Sequence, residues 1–420
     1  MTEYVETVIL GGGQSGLSLS YYLTQQNRKH IVLEQGQIAE SWRKRWDSLH
    51  LVTPNWQFQI PGFPCQSSDP NGFLPKNEVV KHFDQYVKLF KLPLRCGIQV
   101  TSVQQKLGSD SYLVRIGDEV IEAANVVVAT GACQHPKIPL LSIDMPMEIF
   151  QIHSSEYRNP QKLPPGDVLV VGTGQSGCQI AEELNQSGRK VYLSVGSCGR
   201  MPRRYRGQDV TWWVKKFGMY EDTVDCLPSL KERFLCNPHL SGKDGGHEIN
   251  LHHLAKDGVI LLGRLQKLQG NKLTVAPDLK ENLAKADAFA TKFQEKVDEY
   301  IQKTGIEVPE DSTYIESEVK ASFTTPENGQ EAEPILELDI KACGIKNVIW
   351  ATGYKVDFSW VQMPIFQEDG YPVHERGVTE YPGLYFLGLH WLYKRKSSLL
   401  FGVGEDAAFI ALKIEYRMKS

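Results

Sequence analysis

The chain has 420 residues, which is enough for two or three domains with substantial hydrophobic cores. Its formal net charge of −4 provides no basic surface for nucleic acid, so no nucleic-acid partner is expected. No apolar run reaches the roughly 18 residues that a membrane span needs, so no membrane partner is expected either. The opening "MTEYVETVIL" has no basic region before its apolar run, which predicts a cytoplasmic protein without a signal peptide.

The eight cysteines are scattered, and none forms a C-x-x-C or another close pair in the sequence. We therefore expect buried or reduced thiols. A flavin disulfide reductase would need two thiols near each other, and none are close in this sequence. The histidine-rich run "HEINLHH" begins at His247, but Leu251 stands where the zinc-binding pattern H-E-x-x-H needs its second histidine. We expect no metal site.

A glycine-rich turn follows the first apolar run, Val8 to Leu10. Its G-x-G-x-x-G spacing allows a tight turn, close approach of the backbone to a pyrophosphate, and close packing of helix on strand. Glu34 ends the next predicted strand, 18 residues past Gly16, where a carboxylate can bind ribose hydroxyls. This pattern predicts a site for a nucleotide with a free 2′-hydroxyl, such as FAD. The predicted contacts are Gly11, Gly13, Gln14, Ser15, Gly16 and Glu34.

A second turn of the same spacing follows the apolar run 168–171. The next predicted strand ends at Ser194, in the place that Glu34 occupies after the first turn. A carboxylate there would repel a 2′-phosphate, whereas a serine can donate to it, and several arginines follow. Because guanidinium groups bind phosphate, the pattern favours NADPH over NADH. A solvated basic loop is the alternative for the arginines. The predicted contacts are Gly172, Gly174, Gln175, Ser176, Gly177, Ser194, Arg203 and Arg204.

Two further runs, "NVVVATG" (125–131) and "NVIWATGY" (347–354), resemble each other and bracket the second glycine turn. They predict an α/β fold with two Rossmann-like dinucleotide-binding domains, the NADPH domain being inserted into the FAD domain. The predicted boundaries are 1–163 and 336–420 for the FAD domain, and 164–335 for the NADPH domain with a helical insertion. The cofactor-binding residues expected in these runs are Ala129, Thr130, Gly131, Ala351, Thr352 and Gly353.

Apolar residues at spacings of three and four predict an amphipathic helix over 279–303, which Gly305 can end. Its polar face mixes lysine and glutamate, so packing within the protein is favoured over membrane contact. The acidic, polar stretch 312–334 predicts a surface loop.

The chain resembles the class B flavin-containing monooxygenases over nearly its whole length. It is most similar to the bacterial CzcO-type flavoprotein oxidoreductases and more distantly similar to the plant YUCCA enzymes. The motifs that carry the resemblance are the two glycine turns, the two ATG strands, "SWRKRWDSLHLVTP", "IHSSEYRNP", "NPHLSGKDGGHEINL" and "GLHWLYKRKSSLLFGVGEDAAFIA". The family fingerprint F-x-G-x-x-x-H-x-x-x-[Y/F] matches "MEIFQIHSSEY" at His153 and Tyr157 but not at Met147 and Ile149. Tyr157 favours the branch that oxidises nitrogen or sulfur.

The resemblance also implies roles for individual residues. Along the FAD it implies Trp42 and Arg43, with Arg43 available to a phosphate, and beneath the flavin ring the run from His50 to Asn55, which includes Thr53. It further implies a strand at Val100 that holds the adenine, and a closing flavin segment with Gly388, His390 and the helix start from Gly402 to Asp406. The expected catalytic residues are Asn55, His153 and His390. For His153, a hinge role through hydrogen bonds to backbone between the domains is the alternative.

The activity that the resemblance implies is an NADPH-consuming monooxygenation. NADPH would reduce FAD, reduced flavin and oxygen would give a C4a-hydroperoxide, and its distal oxygen would pass to a nitrogen or sulfur of a small molecule. The alternatives are Baeyer–Villiger or YUCCA-like oxygenation of a ketone or 2-oxo acid, and a redox-sensing flavoprotein that does not oxygenate. A homodimer is left open.

Overall fold

The computed structural model describes residues 3–309 and 334–419. The predicted loop over 312–334 lies, apart from its last residue, outside these residues. The α-helices of the described residues are α1 (Gln14–Gln25), α2 (Glu40–Arg43), α3 (Lys76–Phe90), α4 (Gln175–Gln186), α5 (Val210–Lys216), α6 (Leu251–Lys256), α7 (Leu279–Thr304) and α8 (Val403–Lys419). Within these ranges, none of the helices combines the length and the apolar character needed to cross a membrane.

The first sheet has seven strands and carries the first glycine turn. Its strands in spatial order are Leu94–Cys96, His30–Glu34, Glu3–Leu10, Glu119–Val128, Tyr112–Ile116 and Ser102–Gln105, with Leu384–Phe386 also paired to Glu119–Val128. Val8 and Ile9 are fully buried, as expected for a parallel strand covered on both faces. Leu10 pairs in register with Leu33 and Val128, so the carboxyl ends of three parallel strands meet beside the turn.

The second sheet has five strands, all parallel, and carries the second glycine turn. Its strands in spatial order are Phe150–His153, Ile345–Trp350, Asp167–Val171, Val191–Ser194 and Ile260–Leu262. Both sheets therefore follow the dinucleotide-binding pattern of a strand, a glycine turn and a helix, which confirms the predicted fold class.

The domain boundaries differ from the predicted ones. The strand Phe150–His153 and the strand Ile345–Trp350 both belong to the second sheet, although the prediction assigned them to the FAD domain. Each ATG run follows a strand that lies beside one of the glycine turns. The Ala129 carbonyl lies against Gly11, and the Ala351 carbonyl lies against Gly172. The inserted unit therefore extends from about residue 150 to about residue 350, wider than the predicted 164–335.

Two chain connections run side by side where the units join. Residues His135–Pro136 pair with Tyr354–Lys355 in a short antiparallel ribbon. The Thr352 hydroxyl donates a hydrogen bond to the Lys137 carbonyl across the same junction. These contacts tie the outgoing and the returning chain together, so the junction is a paired hinge.

The helical insertion of the second unit packs against the first unit. The Val224 amide donates to the Tyr393 carbonyl at 2.8 Å. Glu221 pairs with Lys394 at 2.7 Å and Lys396 at 2.5 Å, and both lysines also pair with Glu405. Because Lys396 is 8% exposed, this cluster is partly shielded from solvent. The ion pairs hold the two units together on one side of the cleft between them.

The predicted amphipathic helix is α7, and its apolar face packs in two cores. Leu279 and Leu283 join the core under the second sheet, while Phe293 and Val297 join a cluster around Trp213. Gly305 ends the helix with a φ of 65°, the left-handed conformation that glycine adopts at low cost.

The remaining elements are short. A three-stranded antiparallel sheet comprises Leu265–Gln269, Lys272–Val275 and Glu337–Asp339. Two-residue ribbons join Gln59–Ile60 to Phe63–Pro64, Arg204–Tyr205 to Gln208–Asp209, and Leu240–Ser241 to His247–Glu248. Single 3-10 turns are Asn55–Gln57, Leu140–Asp144, Pro160–Lys162, Met219–Glu221, Val224–Cys226, Leu230–Phe234 and Lys243–Gly245.

Candidate active site

The first glycine turn has the geometry of a pyrophosphate cradle. Gly11 has a φ of 118°, and a Cβ there would lie 2.5 Å from the Ala129 carbonyl oxygen. A Cβ on Gly16 would lie 2.0 Å from the Gly11 carbonyl oxygen, so only glycine lets α1 pack this closely. A Cβ on Gly13 would meet nothing within 4 Å. The backbone at Gly13 therefore faces open space at the start of α1, where helix N–H groups favour an anion.

Glu34 stands at the predicted place beside this turn. Its Oε2 accepts a hydrogen bond from the Gly12 amide at 2.6 Å, and its Oε1 accepts one from the Gly36 amide at 2.8 Å. These bonds fix the carboxylate at the carboxyl end of its strand. Each carboxylate oxygen retains a lone pair for a ribose hydroxyl.

The second glycine turn repeats this geometry closely. Gly172 has a φ of 103°, and a Cβ there would lie 2.6 Å from the Ala351 carbonyl oxygen. A Cβ on Gly177 would lie 1.9 Å from the Gly172 carbonyl oxygen, whereas one on Gly174 would meet nothing within 4 Å. Neither α1 nor α4 has an acidic residue in its first turn to oppose a phosphate. The chain therefore has two cradles of the same design.

The residues predicted to recognise a 2′-phosphate have other partners in the structure. The Ser194 hydroxyl is buried and donates to the Gly263 carbonyl at 3.1 Å. Arg203 is 3% exposed, pairs with Asp209 through Nε at 2.8 Å, and donates to the Val52 carbonyl at 2.8 Å. Of the two predicted arginines, Arg204 alone is exposed, and it donates to the Gly245 and Gly246 carbonyls. Arg203 is thus an interdomain contact, because Val52 belongs to the first unit.

We expect Arg203→Ala to destabilise the fold rather than to change cofactor choice. Removing the guanidinium leaves the Asp209 carboxylate without its buried partner, which costs roughly 3–5 kcal/mol in such pairs. Chemical denaturation measures the loss in free energy of unfolding. Lys81→Ala is the control, because it breaks only the exposed pair with Glu78, a change of less than about 1 kcal/mol. Equal, small losses in both variants would contradict the assignment.

A cavity of about 240 Å³ lies between the starts of α1 and α4. Its walls come from both glycine-turn helices, α2 and the segment after it, and the segment before α8. The lining residues are Gln14, Trp42, Arg45, Trp46, Leu49, His50, Leu51, Val52, Thr53, Gln175, Ser176, Gln179, Ser398, Leu399, Leu400 and Phe401. Nucleotides in the two cradles would therefore extend toward one shared space.

Several predicted flavin contacts lie at this cavity or at the first cradle. Trp42 and Thr53 line the cavity. Gly388 has a φ of 80°, and a Cβ there would lie 2.0 Å from the Ser15 hydroxyl oxygen, so it packs against the first turn of α1. Gly402 directly precedes α8, as predicted. The Gln14 side-chain Nε2 donates to the Ser398 carbonyl at 2.7 Å, which ties α1 to the closing segment.

Other residues predicted to contact FAD have different surroundings in the structure. Arg43 pairs with Asp84 at 2.6 Å, so its guanidinium is neutralised within the protein rather than open to a phosphate. The resemblance implied a strand at Val100, but Val100 lies in the connection before the strand Ser102–Gln105. Asp406 is 2% exposed and pairs with Arg376 at 3.1 Å. Burial raises the pKa of the Asp406 carboxyl.

Asn55 has a structural role in this arrangement. Its amide nitrogen donates to the Asp69 carbonyl at 2.9 Å and its oxygen accepts from the Leu74 amide at 2.9 Å. The side chain is 5% exposed and is absent from the cavity lining. The Asn55 side chain therefore holds the loop that contains Asp69 and Leu74. This position does not support the predicted contact between Asn55 and the flavin.

The two predicted histidines differ in position. His153 is fully buried, with Nε2 3.0 Å from the Gly353 carbonyl and Nδ1 2.9 Å from the Ser155 hydroxyl. These contacts match the hinge role, and burial lowers the pKa of its imidazole. His390 has Nδ1 3.0 Å from the hydroxyl of Ser398, a cavity residue. Burial lowers the pKa of His390 as well, which favours a neutral ring beside the cavity.

Arg45 and the run Leu399–Phe401 also line the cavity, although the sequence pattern did not single them out. Arg45 donates to the Tyr354 hydroxyl at 3.2 Å and has no carboxylate partner within residues 3–309 and 334–419. Both lie inside motifs that carry the family resemblance. Their placement depends on how the two units meet, which spacing along the chain does not give.

Comparison with known proteins places this architecture in a family. The family model for pyridine nucleotide-disulphide oxidoreductases matches residues 8–217. An uncharacterised CzcO-like oxidoreductase of Geobacillus kaustophilus is 33% identical and covers 98% of both chains. Indole-3-pyruvate monooxygenase YUCCA1 of rice is 29% identical over 71% of this chain and 76% of its own. A flavin-containing monooxygenase of Stenotrophomonas maltophilia has a TM-score of 0.66 over 99% of this chain and 100% of its own, at 19% identity.

Fold and site together define an oxidoreductase with two dinucleotide cradles that open toward one cavity. The chain belongs to the pyridine nucleotide-disulphide oxidoreductase family, among the class B flavin monooxygenases and close to the CzcO-like oxidoreductases. The resemblance seen in its motifs is confirmed, and the protein is a flavin monooxygenase-type oxidoreductase.

Proposed function

We propose that the chain binds FAD at the first cradle and NADPH at the second, and oxygenates a nitrogen or sulfur of a small molecule with molecular oxygen. The observation that carries this proposal is the pair of cradles. Gly13 and Gly174 each leave open the space that a pyrophosphate needs, at the starts of two helices that line one cavity. Glu34 supports FAD at the first site, because its carboxylate suits a free 2′-hydroxyl.

The bound flavin supplies the hard chemistry, since it accepts a hydride and activates oxygen, and the chain's own residues bind, orient and shield. The N-terminal N–H groups of α1 and α4 hold the two pyrophosphates. Gln14 and Gly388 keep the closing segment against the first cradle. The paired hinge and the ion pairs of Glu221 fix the angle between the units, and so the approach of the nicotinamide to the flavin.

Water exclusion is the second task of the chain. Trp46, Leu49 and Leu400 are each less than 10% exposed and line the cavity together with Phe401. Their apolar side chains keep water from the activated oxygen, which would otherwise be released as hydrogen peroxide. Transfer of oxygen to a soft nucleophile then needs no nucleophilic side chain of the protein.

Arg45 favours a second candidate function, the oxygenation of a 2-oxo acid. Arg45 lines the cavity, and its guanidinium donates to the Tyr354 hydroxyl and the Cys133 thiol, so a substrate carboxylate could pair with it. The similarity to YUCCA1, named an indole-3-pyruvate monooxygenase, supports the same reading.

A substrate panel under isotopically heavy oxygen tests the proposal. Flavin-loaded protein receives NADPH, heavy oxygen and, in parallel, amines, sulfides, ketones and 2-oxo acids. We expect a product carrying one heavy oxygen atom from an amine or a sulfide. Incorporation only from 2-oxo acids would transfer the assignment to the second candidate. If NADPH is consumed and all the oxygen is recovered as hydrogen peroxide with every compound, the monooxygenase proposal fails.

Cofactor preference depends on Arg204, the predicted phosphate contact that stays exposed. We expect Arg204→Ala to raise the Kd for NADPH by about tenfold and to leave the Kd for NADH unchanged. Arg204→Lys should give an intermediate Kd, because it keeps the charge but loses the planar fork. Titration of both nucleotides against flavin-loaded protein measures this. An equal loss for both nucleotides would remove Arg204 from the phosphate site.

A further inference from the structure

The fold brings two cysteines together that lie far apart in the sequence. Cys198 follows the strand Val191–Ser194, and Cys236 lies in the helical insertion. The Cys198 thiol donates a hydrogen bond to the carbonyl of Asn237 at 3.2 Å, and Asn237 directly follows Cys236 in the chain. Beyond them, the His239 amide donates to the Gly199 carbonyl at 2.9 Å, so the two segments run side by side.

We propose that Cys198 and Cys236 form a reversible disulfide under peroxide, and that this disulfide weakens nucleotide binding at the second cradle. Cys236 is exposed, whereas Cys198 is 4% exposed. An oxidant therefore reaches Cys236 first, and Cys198 stands behind it as the resolving thiol.

The chemistry of the pair fits these roles. The neighbouring Cys198 thiol lowers the pKa of Cys236, and the neighbouring Cys236 thiol, together with burial, raises the pKa of Cys198. The Cys236 thiolate attacks the O–O bond of the peroxide, which leaves a sulfenic acid on sulfur and, with one proton, releases water. The Cys198 sulfur then attacks the sulfenic sulfur, and the hydroxyl departs as water with the Cys198 proton. The two thiols lose two electrons and the peroxide gains them.

Both segments are attached to the second glycine turn. The His239 Nε2 group donates to the Thr173 carbonyl at 2.6 Å, and the Gln175 side-chain Nε2 donates to the Pro238 carbonyl at 3.0 Å. On the other side, the Gly196 amide donates to the Thr173 hydroxyl at 2.9 Å. Because a disulfide brings its sulfurs to about 2 Å, closer than any hydrogen bond, oxidation draws these segments together over the cradle.

The effect on NADPH rests on the proposed function, whereas formation of the disulfide does not. The proposed function also supplies the oxidant, because reduced flavin that meets oxygen without a substrate releases hydrogen peroxide. The pair would then slow NADPH use when no substrate is present.

Peptide mapping of the flavin-loaded protein tests the pair directly. Trypsin places Cys198 in peptide 191–200 and Cys236 in peptide 234–243, each with a single cysteine. After hydrogen peroxide and alkylation, we expect the two peptides to be linked and lighter by two hydrogens, and dithiothreitol to separate them. Cys236→Ser should abolish the link, while the control Cys226→Ser, a nearby exposed thiol, should retain it. Unlinked peptides, or a link from Cys236 to Cys178, would overturn the assignment.

Titration of the same samples tests the consequence. We expect oxidation to raise the Kd for NADPH by about tenfold in the wild-type chain and in Cys226→Ser, and not in Cys236→Ser. An unchanged Kd in the linked protein would overturn the control of binding and leave the proposed function intact. Failure of the reduced protein to bind NADPH at all would count against the proposed function, with the disulfide still measured by mass.

Discussion

Gly13→Val is expected to give a folded protein that lacks flavin. A Cβ at Gly13 meets no protein atom within 4 Å, and the φ of −90° and ψ of −172° at Gly13 are accessible to any residue. The substitution should therefore leave the stability of the apoprotein unchanged. The valine side chain instead fills the space in which the backbone approaches a pyrophosphate. We expect flavin content to fall more than about tenfold, measured by the visible absorbance of the purified protein.

The neighbouring glycines provide the contrast. Gly16→Ala would place a Cβ 2.0 Å from the Gly11 carbonyl oxygen, so it should lower the yield of folded protein as well as the flavin content. Circular dichroism and thermal unfolding separate the two effects. A Gly13→Val protein with normal flavin content would show that FAD does not bind at this turn.

Gly174→Val is expected to keep its flavin but to lose reduction by NADPH. Its Cβ also meets nothing within 4 Å, and its φ of −69° with a ψ of 174° is open to any residue. The change lies in the second cradle, so we expect a yellow protein whose reduction by NADPH is slowed more than about a hundredfold.

A chemical reductant serves as the control for this variant. Dithionite reduces flavin without a nucleotide site, so it should bleach Gly174→Val and the wild-type chain alike. Loss of flavin from Gly174→Val, or normal reduction by NADPH, would break the assignment of one nucleotide to each cradle. Together the two variants should separate flavin binding from flavin reduction in otherwise intact proteins.

Much of this architecture could be predicted from local sequence. A glycine turn needs glycine at positions set by its own backbone, so Gly11 and Gly172 mark the cradles without knowledge of the rest of the fold. The helix over 279–303 was predictable for the same reason, because its periodicity is local. The domain boundaries were not, since the pairing of Ile345–Trp350 with Asp167–Val171 joins segments almost 180 residues apart.

The candidate site shows the same division. Arginines after a strand favour a phosphate site, but the sequence pattern does not predict that Arg203 binds Asp209 and the Val52 carbonyl in the folded protein. Likewise, the spacing of the cysteines shows that none are close in sequence, whereas the fold places the Cys198 thiol against Asn237, the residue after Cys236. Contacts between distant segments decide both cases, and they depend on how the insertion packs.

Anaerobic mixing of the purified, flavin-loaded protein with NADPH tests the central claim most directly. Two nucleotides that meet in one cavity predict that an equimolar amount of NADPH bleaches the visible flavin absorbance, and that NADH does so more slowly. A chain that retains flavin but stays yellow with NADPH, while dithionite bleaches it, would contradict the claim that the two cradles serve a common site.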